Sequence, residues 1–192
     1  MTDLSQPAPP VALRKHRLTV EDYHKLGEAG VLNEDSRVEL FEGELVDMAP
    51  IGDFHASVVD QLGQVLVRAS GDLIVRIQNP VRFDGHTELQ PDLALLKAQP
   101  NFYRYAAPTP ADVLLLIEVA DSTVKEDREV KIPYYAGHNI PEVWLVNIPE
   151  EVVEVFSRPA SDGYRQARRY GAGDVLVFSP LQDLRIEISS LF

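Results

Sequence analysis

No cysteine occurs in the 192 residues. Disulfides, thiolate metal sites and cysteine nucleophiles are excluded with it. A reducing, cytoplasmic setting fits that composition. Long apolar runs are missing too. The longest, residues 113–117, is five residues long, whereas a membrane-spanning helix takes about 20. The polar, Pro-rich opening has no apolar core of a secretory signal. Positive charge is scarce: 18 Lys and Arg face 30 Asp and Glu, for a net charge of −12. That balance argues against a protein that coats nucleic acid non-specifically, because such binding neutralises phosphates with Lys and Arg. It leaves room for an enzyme that meets nucleic acid through a metal ion, since carboxylates gathered around a divalent cation raise the acidic count. The histidines, at 16, 24, 55, 86 and 138, show no HxxxH or HxH spacing, and no GxSxG, P-loop or GxGxxG occurs.

What is present is an ordinary globular balance, 45% hydrophobic and 25% charged. Residues 1–16, with Pro7, Pro9 and Pro10, read as a flexible arm, and residues 17–192 as one domain. Thr19 is placed to cap a helix ending near Gly30. Residues 37–48 read as paired strands turning at Glu42-Gly43. Asp53 is placed to cap an amphipathic helix bearing Val58, Leu62, Val65, Leu66 and Ala69. Strands are expected over 73–83, 92–96, 113–119 and 143–146, the third reading as buried on both faces. Between the last two, a helix over about 124–135 is expected to start at Thr123, kink at Pro133 and end with Gly137 as its cap glycine. A hairpin around Ser161-Asp162-Gly163 and strands over 175–178 and 184–188 close the chain. The element order predicts an α/β (α+β) domain with a mixed central sheet.

Two carboxylates stand out against apolar strands. Glu118 ends Leu114-Leu115-Leu116-Ile117-Glu118-Val119, where an unpaired charge is costly. Asp92 opens Pro91-Asp92-Leu93-Ala94-Leu95-Leu96, with Pro91 fixing how the strand is entered. Each has a plain structural reading as well, a solvated strand tip or a turn residue. Together, on adjacent strands, they can hold one Mg²⁺, with Mn²⁺ as a substitute. Such an ion activates water and stabilises charge on a phosphate. Lys131, 13 residues after Glu118 on the following helix, can bring an ammonium to the same place; the alternative is a solvated lysine paired with Asp127. Glu39, flanked by apolar residues, is the candidate third acid, with Glu42 and Glu44 read as solvated. His55, at the start of the amphipathic helix, is a candidate for substrate contact or proton transfer. Arg158, Arg165, Arg168 and Arg169 form the one basic region, either a phosphate contact or the polar face of an exposed hairpin.

These pieces carry a resemblance. Val38-Glu39-Leu40-Phe41-Glu42-Gly43-Glu44-Leu45-Val46, His55, Pro91-Asp92, Ile117-Glu118-Val119, Lys131 through Tyr135-Ala136, Ile140-Pro141-Glu142-Val143-Trp144-Leu145-Val146 and Gly163-Tyr164 together resemble the Uma2 family of endonucleases, within the PD-(D/E)xK restriction-endonuclease-like superfamily. The resemblance covers residues 18–192. It implies a restriction-endonuclease-like mixed sheet flanked by helices, with extra C-terminal β-hairpins. It also implies Mg²⁺-dependent phosphodiester hydrolysis with nucleic acid, DNA first, as the substrate. The superfamily lysine normally follows the second acid by two residues. Here that position is Ala120, and the role maps to Lys131 on the next helix. Asp92 and Glu118 would hold the metal, Glu39 would complete the acidic cluster, and Lys131 would position or activate water. Asp121 is an added charge of open role. A homodimer is expected if both strands of a duplex are cut. The competing reading is a catalytically inactive nuclease fold retained as a binding or assembly module.

Overall fold

The computed structural model describes residues 15–181 and 184–192. The expected arm over residues 1–16 lies almost wholly outside the described residues. Helix α1 (Val20–Glu28) begins at Thr19, whose hydroxyl and backbone close a capping box with Asp22. Strands β1 (Val38–Phe41) and β2 (Glu44–Asp47) pair antiparallel through a two-residue turn at Glu42 and Gly43. Both turn residues have positive φ, 47° and 81°, the geometry that matches strand twist in tight hairpins. Gly43 has a second reason to be glycine: a Cβ there would stand 2.6 Å from the Cβ of Arg17.

Helix α2 (Asp53–Ala69) buries Val58, Val59, Leu62 and Leu66 at helical spacing. Its N-cap is Gly52 rather than Asp53, which is the first helical residue and makes no capping bond. Gly63 lets this helix sit close on the sheet, because a Cβ would come within 2.8 Å of Ile77 Cδ1. The stretch expected as one strand over 73–83 is divided into β3 (Ile74–Ile77) and β4 (Val81–Arg82). The break falls at Gln78, whose φ of 48° cannot continue an extended strand. A two-residue strand β5 (Glu88–Leu89) pairs with β4 and β1.

Strands β6 (Leu93–Leu96), β7 (Val113–Ala120), β8 (Glu142–Asn147), β9 (Val152–Ala160) and β10 (Gly163–Tyr170) build the central sheet, in the order β10-β9-β8-β7-β6-β3. Only β7 and β8 run parallel, so the sheet is mixed. A smaller sheet, β2-β1-β5-β4, stands beside it. Strands β11 (Val175–Val177) and β12 (Arg185–Glu187) form a separate antiparallel pair.

The central sheet is covered on both faces, which explains the unbroken apolar runs of β6 and β7. One face packs Leu93, Leu95, Leu115, Ile117 and Trp144 against α2 and the C-terminal pair. The other packs Ala94, Leu116, Ala120 and Leu145 against Ile132 and Tyr135. The parallel connection from β7 to β8 is helical: α3 (Val124–Glu126), a π turn (Asp127–Lys131) and α4 (Ile132–Gly137). The irregularity expected at Pro133 therefore lies one turn earlier. Pro133 sits near the start of α4, a position that tolerates a missing N–H. Gly137 is the last helical residue, and the left-handed conformation that ends the segment falls to Asn139, φ 59°. No described helix is long and apolar enough to cross a membrane.

Candidate active site

The register brings the two singled-out acids together. Leu93 is paired with Ile117 across antiparallel β6 and β7, so Asp92, one residue before Leu93, meets Glu118, one residue after Ile117. The Asp92 N–H points at Glu118 Oε2 at 3.4 Å, and the Val119 N–H donates to Asp92 Oδ2 at 2.8 Å. The other Asp92 oxygen accepts from Gln78 Nε2 at 3.2 Å, and the Gln78 N–H donates to the Asp92 carbonyl. Gln78 thus holds Asp92 by main chain and side chain at once, at the point where its own left-handed backbone breaks the strand. His55 Nε2, on the first turn of α2, lies 3.2 Å from Asp92 Oδ2.

Glu118 shares the sheet face of Leu116 and Ala120 and is 3% exposed. The Tyr135 hydroxyl donates to its Oε1 at 2.5 Å. Glu39, also 3% exposed, reaches in from β1 and accepts the Gln90 N–H at 2.6 Å. Lys131 closes the group: its Nζ is 3.1 Å from Glu39 Oε2, 3.7 Å from Glu118 Oε1 and 3.8 Å from Asp127 Oδ1. The solvated-lysine alternative is therefore set aside in one respect and kept in another. The Asp127 pairing exists, but within the acidic cluster. Lys125 is exposed, as its different angular position on the helix requires.

Electrostatics follow from this crowding. Burial pushes the Glu118 carboxyl up to about 8; Lys131 opposes the shift, and Asp127, Asp92 and Glu39 add to it. Asp127 is also raised, first by burial, against the pull of Lys131 and Thr123. Burial works against the charge on Lys131, yet Glu118, Glu39 and Asp127 outweigh it and hold the ammonium above its ordinary value. The hydrogen bond to Asp92 raises His55, with burial opposing. The space between these groups is lined by seven acidic side chains against Arg37, His55 and Lys131, which leaves it short of positive charge.

A cavity of about 110 Å³ opens onto Glu39, His55, Asp92, Glu118, Asp127 and Lys131. At about 30 Å³ per water it has room for a few water molecules or a hydrated ion. Among the described residues no three His, Cys, Asp or Glu side chains are grouped as a ready metal cage. The donor set nevertheless fits a hard divalent cation that keeps most of its own waters: oxygen ligands from Asp92 and Glu118, in a cluster with surplus negative charge.

All five expected site residues, Glu39, His55, Asp92, Glu118 and Lys131, line this one cavity. Asp121 lines its exposed rim. Sequence reasoning missed the parts played by Asp127, Tyr135 and Gln78. Asp127, four residues before Lys131, carries a signal in that helical spacing, which makes it the lysine's partner but does not reveal its place in the cluster. Tyr134 turns away from the cluster, to Asp84 and to the rings of Phe41 and Phe83. In the basic region, Arg165 pairs with Asp162 and Arg169 with Glu150. That is the polar face of an exposed hairpin.

A crystal structure described as "a putative nuclease belonging to DUF820 from Anabaena variabilis ATCC 29413" superposes with a TM-score of 0.69 at 18% identity, covering 91% of this chain and 97% of that one. It shows a shared fold. No curated protein matches the chain. The family model described as "Putative restriction endonuclease" matches residues 20–189, nearly the whole length, and on that match the chain belongs to the Uma2 family.

Proposed function

We propose that this protein is a divalent-metal-dependent endonuclease that hydrolyses phosphodiester bonds, with DNA as the first substrate to test. The observation that carries the reading is the convergence of Lys131 on Glu118 and Glu39 in the cavity that Asp92 also lines. Asp92 and Glu118 would hold Mg²⁺ or Mn²⁺. When bound, the ion would supply Lewis-acid stabilisation of the phosphate and acidify an attacking water.

The protein's own groups do the rest. The carboxylates around Lys131 favour its charged form, which suits it to hold water and offset negative charge developing on the phosphate. Glu39 anchors that ammonium through Oε2 while its other oxygen is fixed by the Gln90 N–H. Tyr135 holds Glu118, and Gln78 holds Asp92, so both acids are oriented before any ligand arrives. His55, hydrogen-bonded to Asp92, is a group able to exchange a proton near neutral pH.

One observation favours the inactive-module alternative: no ready metal cage is assembled among the described residues. Titration calorimetry with Mn²⁺, run beside cleavage of supercoiled plasmid and of single-stranded DNA and RNA, separates the two. The nuclease reading expects metal binding and Mn²⁺-dependent cleavage that Asp92→Asn and Glu118→Gln abolish. Lys131→Ala should still bind metal but cleave about 10²-fold more slowly or worse. A wild-type protein that takes up no divalent ion and cuts none of these substrates is the module.

A further inference from the structure

Beside the acidic cavity lies a larger cleft of about 740 Å³, a volume typical of small-molecule sites. Its walls come from α1, the segment after it, β1 and the edge of β5. Arg37, Met48, Gln78 and Gln90 line both spaces, so the cleft and the acids are continuous. We propose that this cleft seats one unpaired nucleotide of the substrate strand, with Arg37 gripping the phosphate where the two spaces meet. The proposal rests on the nuclease reading and names the strand geometry it acts on.

Arg37 is the first argument. Three cationic side chains line the acidic cavity: Arg37, His55 and Lys131. Lys131 is shared by three carboxylates and His55 is bonded to Asp92. Arg37 has no carboxylate partner among the described residues. One of its terminal nitrogens donates to the Ala49 carbonyl at 3.3 Å, and its Nε is buried with no partner among the described residues. Its other terminal nitrogen makes no hydrogen bond among the described residues, which leaves a donor for a ligand acceptor beside the site. Its backbone is left-handed, φ 40°, as is that of Gln78 across the junction. Strained backbones of this kind gather at ligand-handling positions.

The lining is the second argument. A cleft that tracked a run of phosphates would be cationic. This one carries Glu28 and Glu88, and Glu88 is already bonded to His24 and Arg82. What remains free is amide chemistry. The Gln90 side chain makes no hydrogen bond among the described residues, and Asn33 uses only its oxygen, toward Asp35 and Ser36. Primary amides offer a donor and an acceptor together, the pattern that reads a base edge. Tyr23, its hydroxyl tied to the Val38 carbonyl, presents a fixed ring. A base can use such a cleft only when it is unpaired, so single strands or locally opened duplex are the class it selects.

Gly27 gives the test. It lines the cleft on α1, and a Cβ there would meet nothing within 4 Å, so a side chain added at this position starts in open space beside the cleft. Fluorescence anisotropy with a short labelled single strand and its blunt duplex, in Ca²⁺, compares wild type with Gly27→Trp and Arg37→Ala, each first checked for an unchanged melting temperature. Wild type should prefer the single strand about tenfold or more, and Gly27→Trp should lose that binding by about tenfold, the scale of one base contact. Arg37→Ala should weaken it too. Affinity within twofold of wild type in Gly27→Trp, or a duplex bound as tightly as the single strand, overturns the proposal. Binding that Gly27→Trp blocks in a protein that cleaves nothing keeps the cleft and sinks the nuclease. Cleavage indifferent to Gly27→Trp does the reverse.

Discussion

Glu118 is a carboxyl held where charge is hard to keep, and its titration should be visible in the stability of the whole protein. Its ordinary value is 4.5 and its value in the fold is about 8. Between those limits the folded protein retains a proton that the unfolded chain has released, so stability falls as pH rises through the window. The upward shifts of Asp127 and His55 act in the same sense, and the lowered acids, Asp22, Glu150 and Asp162, act only at lower pH. Without metal, the melting temperature of wild type should drop between pH 5 and 8, and Glu118→Gln should flatten the drop and melt higher at pH 8. Scanning calorimetry across that range decides it; a wild type whose melting temperature rises over the window would show that the cluster is not strained by its own charge. At this scale the sequence was informative where a carboxylate interrupts an apolar run, as at Glu39 and Glu118. It was silent on Arg37 and Gln78. Their importance lies in left-handed backbone angles at residues that seldom adopt them, and no residue pattern announces that.

The turn between β1 and β2 shows how much one element depends on a missing side chain. Gly43 combines a φ of 81° with a backbone contact to residues 17 and 18, where the Leu18 N–H donates to the Gly43 carbonyl. Gly43→Ala should cost about 1–3 kcal/mol, from the left-handed penalty and the displaced Arg17. A urea midpoint unchanged from wild type would contradict that. The turn was readable because Glu-Gly between two apolar stretches is turn chemistry; α1 was readable from its Thr19 cap, α2 from its helical spacing and β7 from its unbroken apolar run. Four elements were not. Strand β5 is two residues long and starts with a glutamate, so alternation has nothing to act on. Strands β3 and β4 merged because the alternating apolar residues run up to and past the break at Gln78. The π turn leaves the spacing of apolar residues almost intact while shifting the hydrogen bonds, so it is invisible to a helical pattern.

For the molecule as a whole, a net charge of −12 meets a polyanionic substrate. Long-range repulsion works against encounter, and local cations offset it only at the site. Oligonucleotide binding should therefore be weak in EDTA and strengthen with Ca²⁺. In Ca²⁺ it should weaken as salt is added with a shallow slope, since few phosphates are neutralised by protein cations. Tight binding in EDTA at physiological salt would point to a dedicated binding module instead. The placement of Lys131 has one more consequence. Glu118 belongs to the central sheet and Asp92 directly precedes its strand β6, whereas the cation that balances them is carried by a short connection of α3, the π turn and α4. Sheet strands and a short helical connection open with different free energies. The acids and their counter-ion are thus parts of two cooperative units, and the site exists only while both are closed. Amide exchange of residues 124–137 should run faster than that of β7 and slow when a divalent ion binds, making the connection a clock for assembly of the site.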